Sequence, residues 1–242
     1  MERPKEAHAV VKLAVDLVIL TVLDGRLQIL VVERGNEPYR GRLALPGGFM
    51  RPGEDLPTTA WRELQEETGV GPAHIPHLEQ VGAYSEPDRD PRGRVVTIAY
   101  LALAPDLPAP TPGSDALNAA WVPAHDILAA PTQLAFDHDT IVADAVEHAC
   151  AMLEHTTLAT AFCTTPFTIG DLKSVYEAVW GVPLDIRNFY RKVRRADGFI
   201  EATGEKRASD VGRPAELFRR GLATVINPPM LRTPADSVRP AV

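Results

Sequence analysis

The alternation of apolar and polar positions divides the chain into strand-like and helix-like stretches. Residues 10 to 23 are β-branched and apolar almost without a break, and Asp24-Gly25 supplies a tight-turn pair. Leu27 to Val32 repeats the apolar run, so the opening reads as a β-hairpin. A polar loop from Arg34 to Arg42 leads into a short strand, Leu43 to Gly48. Leu78 to Tyr84 is a further strand, and Arg94 to Leu103 is the most strand-like run of all. A Pro-rich loop over 104 to 114 precedes a short last strand at Trp121-Val122-Pro123. Two helices fit among these strands. One is capped by Asp55, carries Pro57 in its tolerant first turn and stops at Gly69. The other runs from about Asp139 to Glu154, with Ile141, Ala145 and Ala149 at four-residue spacing.

The pattern changes after residue 156. Leu158 to Phe162 is a short apolar helix, and Thr168 caps a second one with Leu172, Val175, Tyr176 and Val179 inward. After a turn at Gly181-Val-Pro183, Asp185 caps a third helix. Its spacing predicts Ile186, Phe189, Tyr190 and Val193 as the buried stripe. Arg187, Asn188, Arg191, Lys192, Arg194 and Arg195 occupy the opposite face. Phe199 to Ala202 and Glu216 to Arg219 then read as a hairpin around a loop with Lys206, Arg207 and Arg213. Three helices and a two-stranded wing are the order of a winged helix-turn-helix. The expected division is a domain at 1–155, a winged domain at 156–225 and a loose tail at 226–242.

Charge supports that division. The net charge is −7, but residues 1–156 hold −11 and residues 157–242 hold +4. A sign change between halves suggests different partners. No apolar run approaches the length of a membrane span, and the start lacks a signal-peptide core, so a cytoplasmic protein without a membrane partner is expected. Cys150 and Cys163 have neither metal nor disulfide spacing.

The chemistry concentrates at 48 to 70. On a helix, Glu63, Glu66 and Glu67 stand at i, i+3 and i+4 and point to one side. Crowded carboxylates repel unless a cation joins them, and hard divalent ions prefer such oxygens and bridge to phosphates. Mg²⁺ is the expected ion, with Mn²⁺ as the alternative. The full spacing is Gly48, five residues, Glu54, seven residues, then Arg62-Glu63-Leu64-x-Glu66-Glu67-x-Gly69-Val70. It resembles the Nudix box at every position.

That resemblance implies an α/β/α sandwich with a mixed sheet, and hydrolysis of nucleoside diphosphates linked to another moiety. It implies a metal held by the Gly48 carbonyl, Glu63, Glu66 and Glu67. Arg62 would orient the carboxylates, and an acid outside the box, Asp115 among the candidates, would serve as base. Backbone at Gly47 and Gly48, together with Arg34, Arg89, Arg92 and Arg94, are the expected ligand contacts. Arg187, Asn188, Arg191, Lys192, Arg195, Lys206, Arg207 and Arg213 are the expected DNA contacts.

The two parts together resemble the NrtR group of Nudix-related transcriptional regulators. Glu86-Pro-Asp-Arg-Asp-Pro-Arg-Gly93, Leu134-Ala-Phe-Asp-His138, Tyr176 to Leu184 and Gly212-Arg-Pro-Ala215 carry the likeness. It implies a repressor of NAD-related metabolism that senses ADP-ribose or a related nucleotide. Because a single winged domain reads few base pairs, a homodimer on a palindromic operator is the physical expectation. Many members have a degraded box, whereas this one is complete, so retained diphosphatase activity is expected alongside sensing. The rival reading is an ADP-ribose-type pyrophosphatase whose second domain serves dimerisation or stability.

Overall fold

The computed structural model describes residues 10–68, 75, 77–105, 107, 116–130, 133–208 and 214–232. The elements before residue 156 are β1 (Lys12–Leu23), β2 (Arg26–Arg34), β3 (Leu43–Ala44), β4 (Gly47–Phe49), α1 (Leu56–Thr68), β5 (His77–Tyr84), β6 (Val95–Leu103), β7 (Ala116–Pro123), α2 (Ala124–Ala129) and α3 (His138–His155). They build one mixed sheet in the order β3-β2-β1-β6-β5, with β4 on β1 and β7 on β2. β1 and β6 are parallel; β1 turns antiparallel into β2 through Asp24-Gly25.

Period-two alternation along β1 sorts its side chains between two layers. Val15, Leu17 and Ile19 face α1, where Ala60 and Leu64 bury against them. Val18 and Leu20 face α3, meeting Ile141, Val142 and Ala145. This is the expected α/β/α sandwich. β7 is longer than the Trp121-Val122-Pro123 stretch, because it pairs with β2 over most of its length. α2 was not anticipated; at six residues it is too short to show a period.

A 3-10 helix (Thr157–Phe162) leads to α4 (Ile169–Trp180), α5 (Ile186–Arg195), β8 (Ile200–Arg207) and β9 (Ala215–Arg220). Thr168 and Asp171 form a reciprocal capping box on α4, and Gly181 ends it in the left-handed conformation. The winged part has no separate core. Cys150 and Leu153 of α3, Tyr176 and Val179 of α4 and Phe189 of α5 belong to one apolar cluster that continues into the sandwich. Tyr176 donates its hydroxyl hydrogen bond to the Leu153 carbonyl at 2.9 Å.

Two expectations need correction. Only Phe189 and Val193 of the predicted α5 stripe are buried; Ile186 and Tyr190 are exposed, because α4 and β9 cover a narrower arc than the period suggested. The beginning of the expected loose tail is docked. Ile226 and Met230 are buried, and Arg232 binds both Glu147 and Glu154 of α3. Low periodicity concealed this, since a docked irregular segment has none. Among the described residues, no helix is long and apolar enough to cross a membrane.

Candidate functional site

A cleft of about 890 Å³ opens at the end of the sandwich where β4 hands the chain to α1. β1 contributes Asp16, β2 contributes Arg34, and the turn into β4 contributes Gly47 and Gly48. α1 presents Glu63 and Glu66, and the loop before β6 presents Arg89, Asp90 and Arg92. Phe49, Phe136 and His138 complete the walls.

Arg62 organises the acidic wall. Its Nε and Nη2 donate to the two oxygens of Glu54 at 2.7 and 3.0 Å, and Nη2 also reaches the Phe49 carbonyl at 3.2 Å. Its Nη1 donates to Glu63 and, at 3.4 Å, to Glu66. The guanidinium holds Glu54 down to about 2, assisted by the Arg51 backbone N–H. Burial pushes Glu63 above the ordinary carboxylate range, against the pull of Arg62. Glu54 is therefore the partner of Arg62 and the loop, while Glu63 and Glu66 face the cleft. Glu67 is on α1, but its side chain lies outside the described residues, as do Asp115 and Arg213.

The two glycines meet different neighbours. A Cβ on Gly47 would overlap the Val15 carbonyl of β1, and one on Gly48 would overlap the Glu63 carboxylate. Gly48 thus lets backbone lie directly against a buried carboxylate. The Glu63 and Glu66 carboxylates beside that backbone are oxygen donors of the kind a hard divalent cation takes, so the residues present fit a metal at Gly48, Glu63 and Glu66.

The cleft's cationic side is more committed than the sequence suggested. Arg89 is buried, with Nε and Nη2 bonded to the Asp137 carboxylate at 2.8 and 2.6 Å and Nη2 also 3.3 Å from Asp16. It braces the floor. Arg94 is absent from the cleft; its Nη1 donates to the Ser85 carbonyl at 2.6 Å. Arg92 pairs with buried Asp90 at 2.6 Å and lies over the rings of Phe49 and Phe136, at 5.1 and 5.4 Å. Arg34 donates to the Pro38 carbonyl and also lies over the Phe136 ring, at 4.8 Å. Tyr84 bonds Asp144 and Tyr100 is in the core, so neither enters the cleft.

Sequence reasoning missed Asp16, Phe136 and His138 as cleft residues. His138 accepts the Leu45 N–H at Nδ1, which leaves its proton on Nε2, 3.6 Å from Asp16. Burial lowers its pKa, so it stays neutral. Phe136 has a positive φ of 57° and stacks edge-on against Tyr39. The available signal was the polar insertion Asp137-His138 at the start of an apolar helix.

A second surface is basic. On α5, Arg187, Asn188, Arg191, Arg194 and Arg195 are exposed. Arg191 donates to Asn188 at 2.7 Å and Arg194 to Glu216 at 3.3 Å. Lys192 is half-buried and lines a small groove with Trp180 and Met230. Lys206 is exposed on β8. Arg207 lies in strand β8, outside the expected loop, and is tied to Asp171 and the Pro166 carbonyl. Its charge steadies the α4 cap, and its side chain remains exposed beside that cap.

The NUDIX domain model matches residues 12–145, and the NrtR DNA-binding winged helix domain model matches residues 161–220. The chain is 32% identical over 212 residues to the ADPR responsive transcriptional repressor NtrR of Acinetobacter baylyi, across 87% of this chain and 82% of that protein. Shewanella oneidensis NrtR, solved with a 27mer DNA, superposes with a TM-score of 0.71 at 33% identity, over 88% of this chain and 98% of that one. The NUDIX domain of the same Shewanella protein, solved with ADP ribose, gives a TM-score of 0.52 at 36% identity over 61% of this chain and 94% of that one.

Proposed function

The chain belongs to the NrtR family of Nudix-related transcriptional regulators, and on that premise we propose that it is a repressor whose DNA grip is set by ADP-ribose or a related nucleotide in the cleft. The observation that carries this reading is α3. It begins at the cleft floor with Asp137 and His138, and its far end packs against α4 of the basic domain. A ligand that shifts one end of this 18-residue helix shifts the base of the winged domain.

The cleft residues suit a nucleoside diphosphate. Phe49 and Phe136 line the cleft, with Arg92 over both rings and Arg34 over Phe136, so aromatic and cationic groups stand together there. Gly48, Glu63, Glu66 and Glu67 would hold a divalent ion, Mg²⁺ by preference, which when bound neutralises diphosphate charge and acidifies a water. Arg62 holds two of the carboxylates in register with the Gly48 turn. Neutral His138 and the Asp16–Arg89–Asp137 network keep the floor rigid.

The winged domain would meet phosphates through Arg187, Arg191, Arg195 and Lys206, with Asn188 suited to an adenine edge. A single winged domain reads few base pairs, so a homodimer on a palindromic operator is the physical expectation. Binding of the full chain to a fluorescent duplex from its own upstream region tests this. Tight binding that weakens steeply with salt supports the repressor; binding no better than to an unrelated duplex overturns it.

The complete box favours a second activity, slow hydrolysis of the bound diphosphate. Release of AMP from ADP-ribose with Mg²⁺, lost in Glu66→Gln, would establish it. Turnover unchanged by that substitution would contradict the metal assignment.

A further inference from the structure

Ile186 and Tyr190 are 48% and 44% exposed on a helix whose core side is already filled by Phe189 and Val193. At 100° per residue they lie one turn apart on the same flank of the helix, immediately beside Arg187, Arg191 and Arg194. Both are held in place. Asp185 caps the helix by accepting the Asn188 N–H at 2.8 Å, which fixes the first turn where Ile186 stands. Arg194 lies over the Tyr190 ring at 6.0 Å and is itself tied to Glu216 of the wing. A fixed apolar pair among cations fits a partner that is anionic at its edges and apolar at discrete points.

The major groove of DNA has that character. Its rims are phosphates, and the one apolar group among its base edges is the C5-methyl of thymine. The first turns of a recognition helix are the part that reaches base edges. Resting on the reading of this domain as a DNA-binding module, we propose that Ile186 and Tyr190 are specificity-determining residues that read thymine methyl groups, while the neighbouring arginines set affinity. An apolar contact discriminates thymine from cytosine and also from uracil, which pairs identically but lacks the methyl.

The experiment uses the full chain and a duplex enriched by it from a random pool. Each dT is replaced in turn by dU, and Kd is measured for the wild type, Ile186→Ala and Tyr190→Ala. Loss of one methyl contact weakens wild-type binding about fourfold at one or two positions. At those positions the matching alanine variant shows no further loss. Both residues are exposed, so the variants keep the wild-type melting temperature to within about 2 °C. If no sequence is enriched, the DNA-reading function itself fails. If a sequence is enriched but dU has no effect anywhere, or affects wild type and both variants equally, the methyl-reading assignment is overturned and the DNA-binding function stands.

Discussion

Gly47 and Gly48 divide two tasks between neighbouring positions. Gly47 lets β4 approach β1, because a Cβ there would strike the Val15 carbonyl, which is backbone and cannot move aside. Gly47→Ala is expected to cost about 3 kcal/mol of stability or more, read as a lower urea midpoint. Gly48 faces the carboxylate end of the Glu63 side chain, which can turn aside where backbone cannot. Gly48→Ala is expected to cost less stability than Gly47→Ala yet bind Mg²⁺ at least about tenfold more weakly by calorimetric titration. Equal stability losses in both variants would contradict this division. Glu54 gives a pH signature. Its carboxyl falls from the ordinary 4.5 to about 2 in the fold, chiefly through Arg62. The folded state thus holds this proton more weakly than the unfolded chain. Its stabilisation is complete above pH 4.5 and lost as pH falls through 2. Glu54→Gln is expected to flatten the acid limb of stability in that window, measured by denaturation at fixed pH values.

α1 and α5 show what local sequence conveys and what it omits. The carboxylates of α1 and their arginine lie within a few turns, so helical spacing alone brings them together. Caps at Thr168 and Asp185 were readable for the same reason. Arg89 lines the cleft as expected, but its burial was not readable, because its partners, Asp16 and Asp137, are 73 and 48 residues away. No local period predicts such a meeting. Arg89→Ala would leave two carboxylates in the floor without their cation and is expected to destabilise the fold by about 3–5 kcal/mol, whereas Arg94→Ala changes little; thermal melts compare them. On the proposed reading, the exposed arginines of α5 would act on DNA as charges. Arg187→Ala and Arg191→Ala are each expected to reduce the slope of log K against log salt by about 0.9 and to weaken all duplexes alike. Arg207→Ala is expected to leave that slope unchanged, since its guanidinium is bound to Asp171.

The two halves differ in charge yet share one apolar cluster, and that union was not legible in the sequence. The sign change at residue 156 suggested separable domains, but α3 exposes no surface that says which partner covers it. In the fold, one end of α3 carries His138 of the cleft, preceded by Asp137, which binds the cleft's Arg89. At the other, its Leu153 and Cys150 carbonyls accept hydrogen bonds from Tyr176 and Trp180 of α4. Arg232 adds a strap from the C-terminal segment to Glu147 and Glu154. On the proposed reading, ligand and DNA act on the two ends of one helix, and linkage then requires that each weaken or strengthen the other by the same factor. The most direct measurement is the Kd of the full chain for its upstream duplex with and without saturating ADP-ribose, beside the Kd for ADP-ribose with and without saturating duplex. ADP-ribose is expected to weaken DNA binding by about 5–150-fold, with the reciprocal loss equal within error. DNA affinity unchanged by ADP-ribose that demonstrably binds would contradict the account.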